Sequence, residues 1–535
     1  MMKDSFFRSM TWLHTWVGLL TCWVLFLVFF AGTAAYYRAE INLWMQPENH
    51  GSQYDAHADN QQLILKGLTA LAQQAPDAET WWVYLPTQRT PLLTYAWSEP
   101  AAEGQRFGDY HQGFISPATG EALPKARESR GGDFLYRLHF DLYYMSVITA
   151  RWIVGFCTMF MLVAIISGIV IHKRIFKDFF SFRPGKGPRS WLDAHVASSV
   201  LALPFHLMIT YTGLVTLMFM YMPWGVNTQY GDETQAFYSQ WKPIYSSSVP
   251  SGEAATMQSP LQLLASLNAA MPMSDEAPSP IEMLQVEHLN DANAKVTVRM
   301  SPEHSLNQQA PWYRFSAVTG KLTEESTATS AANKTQSTMI ALHSGRFAGQ
   351  GLRLLYLLAG ITGCVMIATS AIMWAEKLAQ KQQKSGQFKP GLALVKMLNL
   401  ATFAGLPIAL ASYFYANRLL PVSFVDRENW EIHCFFISWA LVALLACFKR
   451  DKQTWQRLFL LTALLYGLLP LLNAMTSQYQ LMSNLQRQAY VLAGFDLMML
   501  ALAALFYMAA KRLRSPKKVL ATRITKATTE LGVES

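Results

Sequence analysis

The chain has 535 residues, of which 51% are hydrophobic, 13% aromatic and only 15% charged, a balance that excludes a purely soluble protein. Its net charge of +9 is concentrated in short segments beside apolar runs: HKRIFKDFFSFRPGKGPR, EKLAQKQQKSGQFK, FKRDKQTWQR and KRLRSPKKV. Under the positive-inside rule such segments face the cytoplasm, so the basic balance reports topology and no nucleic-acid partner is expected.

Apolar runs of about 20 residues, enough to cross a bilayer, lie near 12–37, 149–172, 193–222, 349–375, 393–416, 430–449, 456–475 and 488–511. They predict eight helices in contact with lipid, with both termini in the cytoplasm. The chain divides accordingly. A first span over 1–37 is followed by an external insert over 38–148, then by two spans and a cytoplasmic loop over 149–222. A second external insert covers 223–345, a fourth span 346–375 and a cytoplasmic linker 376–392. Four further spans occupy 393–511, and a basic cytoplasmic tail occupies 512–535. The first span follows Lys3 and Arg8 as a signal peptide would, but its apolar stretch exceeds the usual h-region and reads as an uncleaved anchor. Pro407 and Pro470 are expected to kink their helices.

Each insert has the same outline. TWWVYLPTQ with PLLTYAW, and AKVTVRM with WYRFS, alternate as half-buried strands do, whereas QQLILKGLTALAQQ and SPLQLLASLNAAM have helical periodicity. FISPATGEALP and YRFSAVTGKLTEE each predict a strand, a turn at Gly120 or Gly320, and a second strand. The inserts therefore read as two small α+β modules. Trp81, Trp82, Trp312 and Tyr313 fill their cores, while Trp12, Trp16, Trp44, Trp152 and Trp224 suit an interfacial belt.

The spans repeat as well. WLHTWVG…FFAGTAAYY matches WLDAHVA…TYTGLVTLM, with His14 to Gly32 and His195 to Gly213 equally spaced, and RLHFDLYY before the second span parallels ALHSGRF before the fourth. The first 375 or so residues thus read as two copies of one unit forming a pseudo-symmetric four-helix bundle.

Six histidines, His14, His139, His172, His195, His206 and His343, lie in or beside the first four spans. Imidazole in a membrane core is costly unless it is paired or ligated, so a buried haem site is the expectation. A b-type haem needs one or two neutral imidazoles and an apolar pocket, and the lack of CxxCH excludes covalent attachment. The repeat pairs His14 with His195 on the cytoplasmic side and His139 with His343 outside. A second argument starts from the eleven-residue spacing of His195 and His206. On one straight helix it places both within about 20° of one face and roughly 16 Å apart along the axis, which assigns His206 to the outer haem. A basic HKR cap for His172 and a hydrogen-bonded core position for His206 are the structural alternatives. His50, His57, His111, His288 and His304 in the inserts read as solvated, and His433 in NWEIHCFF as interfacial or structural. Arg151, Arg346 and Arg353 suit haem propionates or membrane anchoring equally, and Asp496 is a buried carboxylate packed against a neighbour. Cys22, Cys157, Cys364, Cys434 and Cys447 fall in or at the ends of spans without CxxC spacing, and read as small hydrophobes.

WLHTWVG, the two ATG/VTG hairpins, SGIVIHKRIFKDFFSFRP, SWLDAHVASSVLALPFHLMITYTG and ALHSGRFAG occur in order over about 1–375. In these phrases the chain resembles the PepSY-associated transmembrane family, iron-regulated inner-membrane proteins that include ferrisiderophore reductases. The resemblance implies external PepSY-type modules and b-type haem held by bundle histidines. The expected fold is a mainly α membrane protein of about eight transmembrane helices, with a duplicated four-helix haem bundle and two small α+β PepSY-type periplasmic modules. No GxGxxG, Walker motif or long cytoplasmic loop offers a flavin or nicotinamide site, so electrons must come from membrane quinol or a cytoplasmic reductase. The expected function is that of a haem-dependent transmembrane oxidoreductase with two haems b, located in the bacterial inner membrane. It would reduce a periplasmic acceptor, a ferric siderophore, for iron uptake. A non-enzymatic regulator of periplasmic peptidases and a transporter using the last four helices are the alternatives.

Overall fold

A computed structural model describes residues 2–513, apart from 53, 56–57, 102–107, 173, 180–181, 184, 243, 245–248, 271–280, 303–304, 308 and 327–329. Most of the basic tail therefore lies outside the described residues. Seven described helices are long and apolar enough to cross a membrane, and an eighth span arises if one sharply bent pair is counted as a unit. The chain is a mainly helical, multi-pass membrane protein with a small antiparallel sheet.

The first span (Met2–Ala35), the second (Val147–Ile171) and the fourth (Gln350–Ser385) are continuous helices. The third is not. It consists of Pro188–Leu201 and Leu203–Thr216, bent by 70° at Ala202. Pro204 explains the break: it has no amide hydrogen for the carbonyl four residues earlier, and its ring crowds the preceding turn. The expected kink sites behave differently. Pro470 sits inside the uninterrupted helix Lys452–Thr476, whereas Pro390–Phe403 and Gly405–Leu419 separate at Ala404, one residue after the carbonyl that Pro407 leaves without a donor.

The first span packs against the second and the fourth, and the fourth packs against both halves of the third. Two short helices repeat this arrangement on the sheet side. Gly131–Asp141 lies on the first span, and Ala331–Ser344 lies on the second half of the third. The C-terminal helices 390–419, Arg427–Phe448, Lys452–Thr476 and Tyr490–Leu513 join the same apolar core, with Phe26 against Phe403 at 4.8 Å between ring centroids. The five cysteines are free.

A polar network at the sheet-side end fastens these last helices. Arg427 and Glu431, both fully buried, pair with each other; Glu431 also accepts from Asn417 Nδ2 (2.8 Å) and Ser129 Oγ (2.6 Å). Arg418 donates to the Trp44 carbonyl and to Asn473 Oδ1 (3.0 Å), and Asp496 accepts from Trp44 Nε1 (3.2 Å) and Asn473 Nδ2 (3.1 Å). Trp44 is thus a core residue stacked on Phe495, not a member of an interfacial belt. His50 is likewise buried. Its Nε2 lies 3.1 Å from the Leu43 and Trp44 carbonyls, and burial pushes its imidazole down to about 3, contrary to the solvated role expected for it. His57 and His304 lie outside the described residues.

The inserts do not form separate modules. Strands β1 (Thr80–Tyr84), β2 (Leu93–Ser98), β3 (Tyr110–Ile115), β4 (Ile281–Glu287), β5 (Lys295–Met300), β6 (Trp312–Ser316) and β7 (Leu322–Glu325) make one antiparallel sheet, ordered β3-β2-β1-β4-β5-β6-β7. The seam is β1 with β4, in register from Thr80 opposite Glu287 to Tyr84 opposite Met283. Helices Asn60–Gln74 and Pro260–Ala270 pack side by side, and Leu68, Leu71, Val83, Leu267, Val286 and Phe315 form one core beneath them. The equivalent turns take positive φ at Gly120 (67°) and Gly320 (71°), the conformation for which glycine has no steric cost.

Alternation of basic loops with the inserts predicts that the sheet lies on one side of the bilayer and the basic loops after the second and fourth spans on the other. Reporter fusions at Gly185 and Ser385 are expected to report cytoplasm, and fusions at Ser259 the opposite compartment; cytoplasmic signal at Ser259 would reverse this topology.

Candidate functional site

Four of the six bundle histidines meet in pairs. His14 of the first span faces His195 of the third, with ring centroids 6.3 Å apart and planes at 66°. His139 and His343, from the two short sheet-side helices, face each other at 6.0 Å and 34°. Two imidazoles bound to opposite sides of one metal ion through bonds of about 2 Å each would have ring centroids about 6 Å apart. Both pairs have that separation.

The hydrogen bonding of the rings is equally uniform. His14 Nδ1 lies 2.9 Å from the Ala164 carbonyl, His139 Nδ1 2.7 Å from Val28, His195 Nδ1 2.9 Å from Met366, and His343 Nδ1 3.2 Å from Ile209. Each carbonyl belongs to a neighbouring helix, so Nδ1 carries the proton and Nε2 keeps its lone pair free for a ligand bond. His139 and His343 lie in helices outside the spans. Burial lowers both imidazoles below their ordinary value, His343 to about 3 with a further contribution from His139, which keeps them in the neutral form a metal requires.

Glycine makes these contacts sterically feasible. Gly168, Gly32 and Gly213 each lie four residues after the carbonyl that accepts from His14, His139 and His343, one turn along the same face. A Cβ would stand 3.1 Å from His14 Cε1 at Gly168, 2.6 Å from His139 Cε1 at Gly32, and 3.0 Å from His343 Cε1 at Gly213. The ring can approach the helix backbone only because no side chain intervenes. This accounts for the matched spacing of His14 with Gly32 and His195 with Gly213: each of these spans carries one paired histidine and, near its other end, the glycine that admits a histidine of the opposite pair.

The 70° bend overturns the shared-face argument. His195 and His206 belong to different helical segments, so their eleven-residue spacing does not place them on one face. His206 is buried beside Phe29, with Nε2 3.4 Å from the Ala359 carbonyl, and no second histidine ring among the described residues faces it. His172 follows the last residue of the second span as its cap, half-buried. The vertical separation of the two pairs comes instead from the straight first span. His14 and Val28, the acceptor for His139, are separated by fourteen residues, or about 21 Å along the axis.

The sheet-side pair opens into a cavity of about 2460 Å³ between bundle and sheet. Its lining includes His139 and His343, apolar Val28, Val154 and Leu214, and several charged side chains. Arg151 pairs there with Asp141 (2.8 Å), and buried Arg353 pairs with Glu40, so both guanidiniums are already engaged; Arg346 is exposed at the same cavity. No group of three or more metal-binding side chains occurs among the described residues. Each pair offers two imidazole nitrogens, a donor set that would suit a metal that brings its other ligands with it, as haem iron does.

Fold and site together define a polytopic helical membrane protein built on a duplicated bundle, with two facing imidazole pairs at different depths. The family model of the PepSY-associated TM region matches residues 11–377. The chain belongs to this PepSY-associated transmembrane family, and the matched segment contains both histidine pairs and the sheet. No curated protein matches the chain.

Proposed function

We propose that this chain is a dihaem b electron-transfer protein of the bacterial inner membrane that reduces a periplasmic ferric siderophore for iron uptake. The observation that carries the reading is the pair of imidazole couples, each spaced for one intervening metal and each fixed through Nδ1 by a backbone carbonyl. Haem, when bound, supplies reversible one-electron chemistry. His14 with His195, and His139 with His343, hold it at two levels, and the carbonyls of Ala164, Val28, Met366 and Ile209 set the tautomer and ring orientation. The surrounding apolar helices exclude water. The cavity beside His139 and His343 accommodates the acceptor, and reduction of its iron to Fe(II) weakens binding by hard oxygen donors and so releases the metal.

Detergent-purified protein from haem-replete cells is expected to contain about two non-covalent haems per chain by pyridine haemochrome analysis. Colourless protein would overturn the reading. After dithionite reduction, a ferric siderophore should reoxidise the protein anaerobically, with Fe(II) trapped by a ferrous chelator in proportion. His343→Ala should slow this step more than His14→Ala; reoxidation no faster than in buffer alone would remove the reductase assignment while leaving the haem sites.

Gly32→Ala tests the steric argument separately. The new methyl group would lie within 2.6 Å of the His139 ring and displace it. The sheet-side haem is expected to turn high-spin or be lost, whereas Gly18→Ala, with open space at its Cβ, leaves the spectrum unchanged.

A further inference from the structure

The short connection between the helix of His139 and the second span is unusual. Leu142, Tyr143 and Tyr144 all have positive φ (54°, 60° and 49°), three successive non-glycine residues in a region that L-residues normally visit singly. Such backbone persists where its surroundings impose it, and it clusters at functional positions. Here it turns the Tyr144 ring onto His433 of helix Arg427–Phe448. The rings are stacked at 5.9 Å and 12°, and the Tyr144 hydroxyl is hydrogen-bonded to His433 Nδ1. Trp430 stands edge-on to His433 at 5.3 Å, and Phe436 lies 4.8 Å from Tyr144.

This cluster faces outward. Tyr144 is 60% exposed and Trp430 42%, beside exposed Met145, Val147 and Ile437, at the level where Trp430 suits the edge of the bilayer. It also faces inward, since Tyr143 and Tyr144 line the same cavity as His139. Among the described residues, His433 hydrogen-bonds through Nδ1, to Tyr144. A hydroxyl and an imidazole held together, flanked by aromatic faces and reachable from lipid, match a flat apolar ring bearing hydroxyl groups.

We propose that Tyr144 and His433 form the binding site of a lipid-soluble hydroquinone, the electron donor to the sheet-side histidine pair; the donor role rests on the dihaem reading above. Oxidation breaks the two O–H bonds of the hydroquinone and yields the quinone, two protons and two electrons. With Nδ1–H donating to the Tyr144 oxygen, His433 Nε2 has a free lone pair; it accepts a proton and passes it to water on the sheet side, with each proton leaving in turn. The haems that His139 with His343 and His14 with His195 would hold would take up the two electrons, one each.

The test uses the full-length protein in nanodiscs with a short-chain azidobenzoquinone as photolabel and mass spectrometry to map it. Label is expected within 142–148 and 427–437, displaced by excess decyl-hydroquinone, and Tyr144→Phe and His433→Phe should each raise the Kd of that competitor about tenfold. Elution profile and thermal midpoint establish that the variants are folded; if one is not, the position of the label on the native chain decides. Label confined to other segments, or a Kd unchanged in either folded variant, overturns the site. Binding is read without haem, so colourless protein labelled as expected would refute the dihaem reading and leave this site, whereas red protein without displaceable label would do the reverse.

Discussion

His195→Ala is expected to reduce the haem content from about two per chain to about one. The substitution removes one of the two imidazoles that would hold this haem, leaves the Met366 carbonyl without its donor, and opens an apolar gap. His139 and His343 are hydrogen-bonded to other carbonyls, Val28 and Ile209, and their haem should persist with its low-spin spectrum. Haemochrome quantitation together with low-temperature electron paramagnetic resonance separates the two sites. His111→Ala, on an exposed edge strand, serves as the control that changes neither. An unaltered spectrum in His195→Ala would remove the pairing on which the proposed function depends.

Glu431→Ala is expected to destabilise the protein by about 3–5 kcal/mol, the usual consequence of deleting one partner of a buried ion pair. Arg427 would remain fully buried with only the Glu128 and Asn417 carbonyls for company, and the hydrogen bonds from Ser129 and Asn417 would lose their acceptor. The thermal midpoint of the detergent-solubilised protein should fall by several degrees while haem content stays at the native level, because neither histidine pair touches this network. Glu431→Gln, which retains an acceptor for Ser129 and Asn417, should lose less.

These two sites differ in how far they could be read from the chain. The histidine pairs follow from the internal repeat: the equal spacing of His14 to Gly32 and of His195 to Gly213 makes His14 equivalent to His195, and aligning RLHFDLYY with ALHSGRF sets His139 opposite His343. The glycines were visible in the same alignment, but their purpose needed the approach of an imidazole from another helix. The break in the third span was also present in the sequence, as Pro204, yet the apolar run around it is long enough to mask a broken helix as a continuous one. That is why His206 was placed on the face of His195. The Arg427, Glu431, Asn417 and Ser129 network was not legible, because its partners are up to about 300 positions apart and its charges resemble ordinary loop and helix-end residues. Trp44 and His50 differ from their sequence reading for the same reason: side-chain type suggests an interfacial place for Trp44 and a solvated one for His50, and partners from the distant C-terminal part of the chain make both core.

The seam between β1 and β4 ties the two halves of the duplicated bundle to each other outside the membrane. Five residues of backbone pairing join an insert carried by the first repeat to an insert carried by the second. If either insert were deleted, the survivor would present a bare strand edge, an invitation to pair with any extended chain nearby. Deleting or exchanging one repeat alone would therefore disrupt the sheet at this seam. A hybrid in which one repeat comes from a relative must carry a matched strand at this seam, and β1 and β4 are where incompatibility between the halves would first be felt.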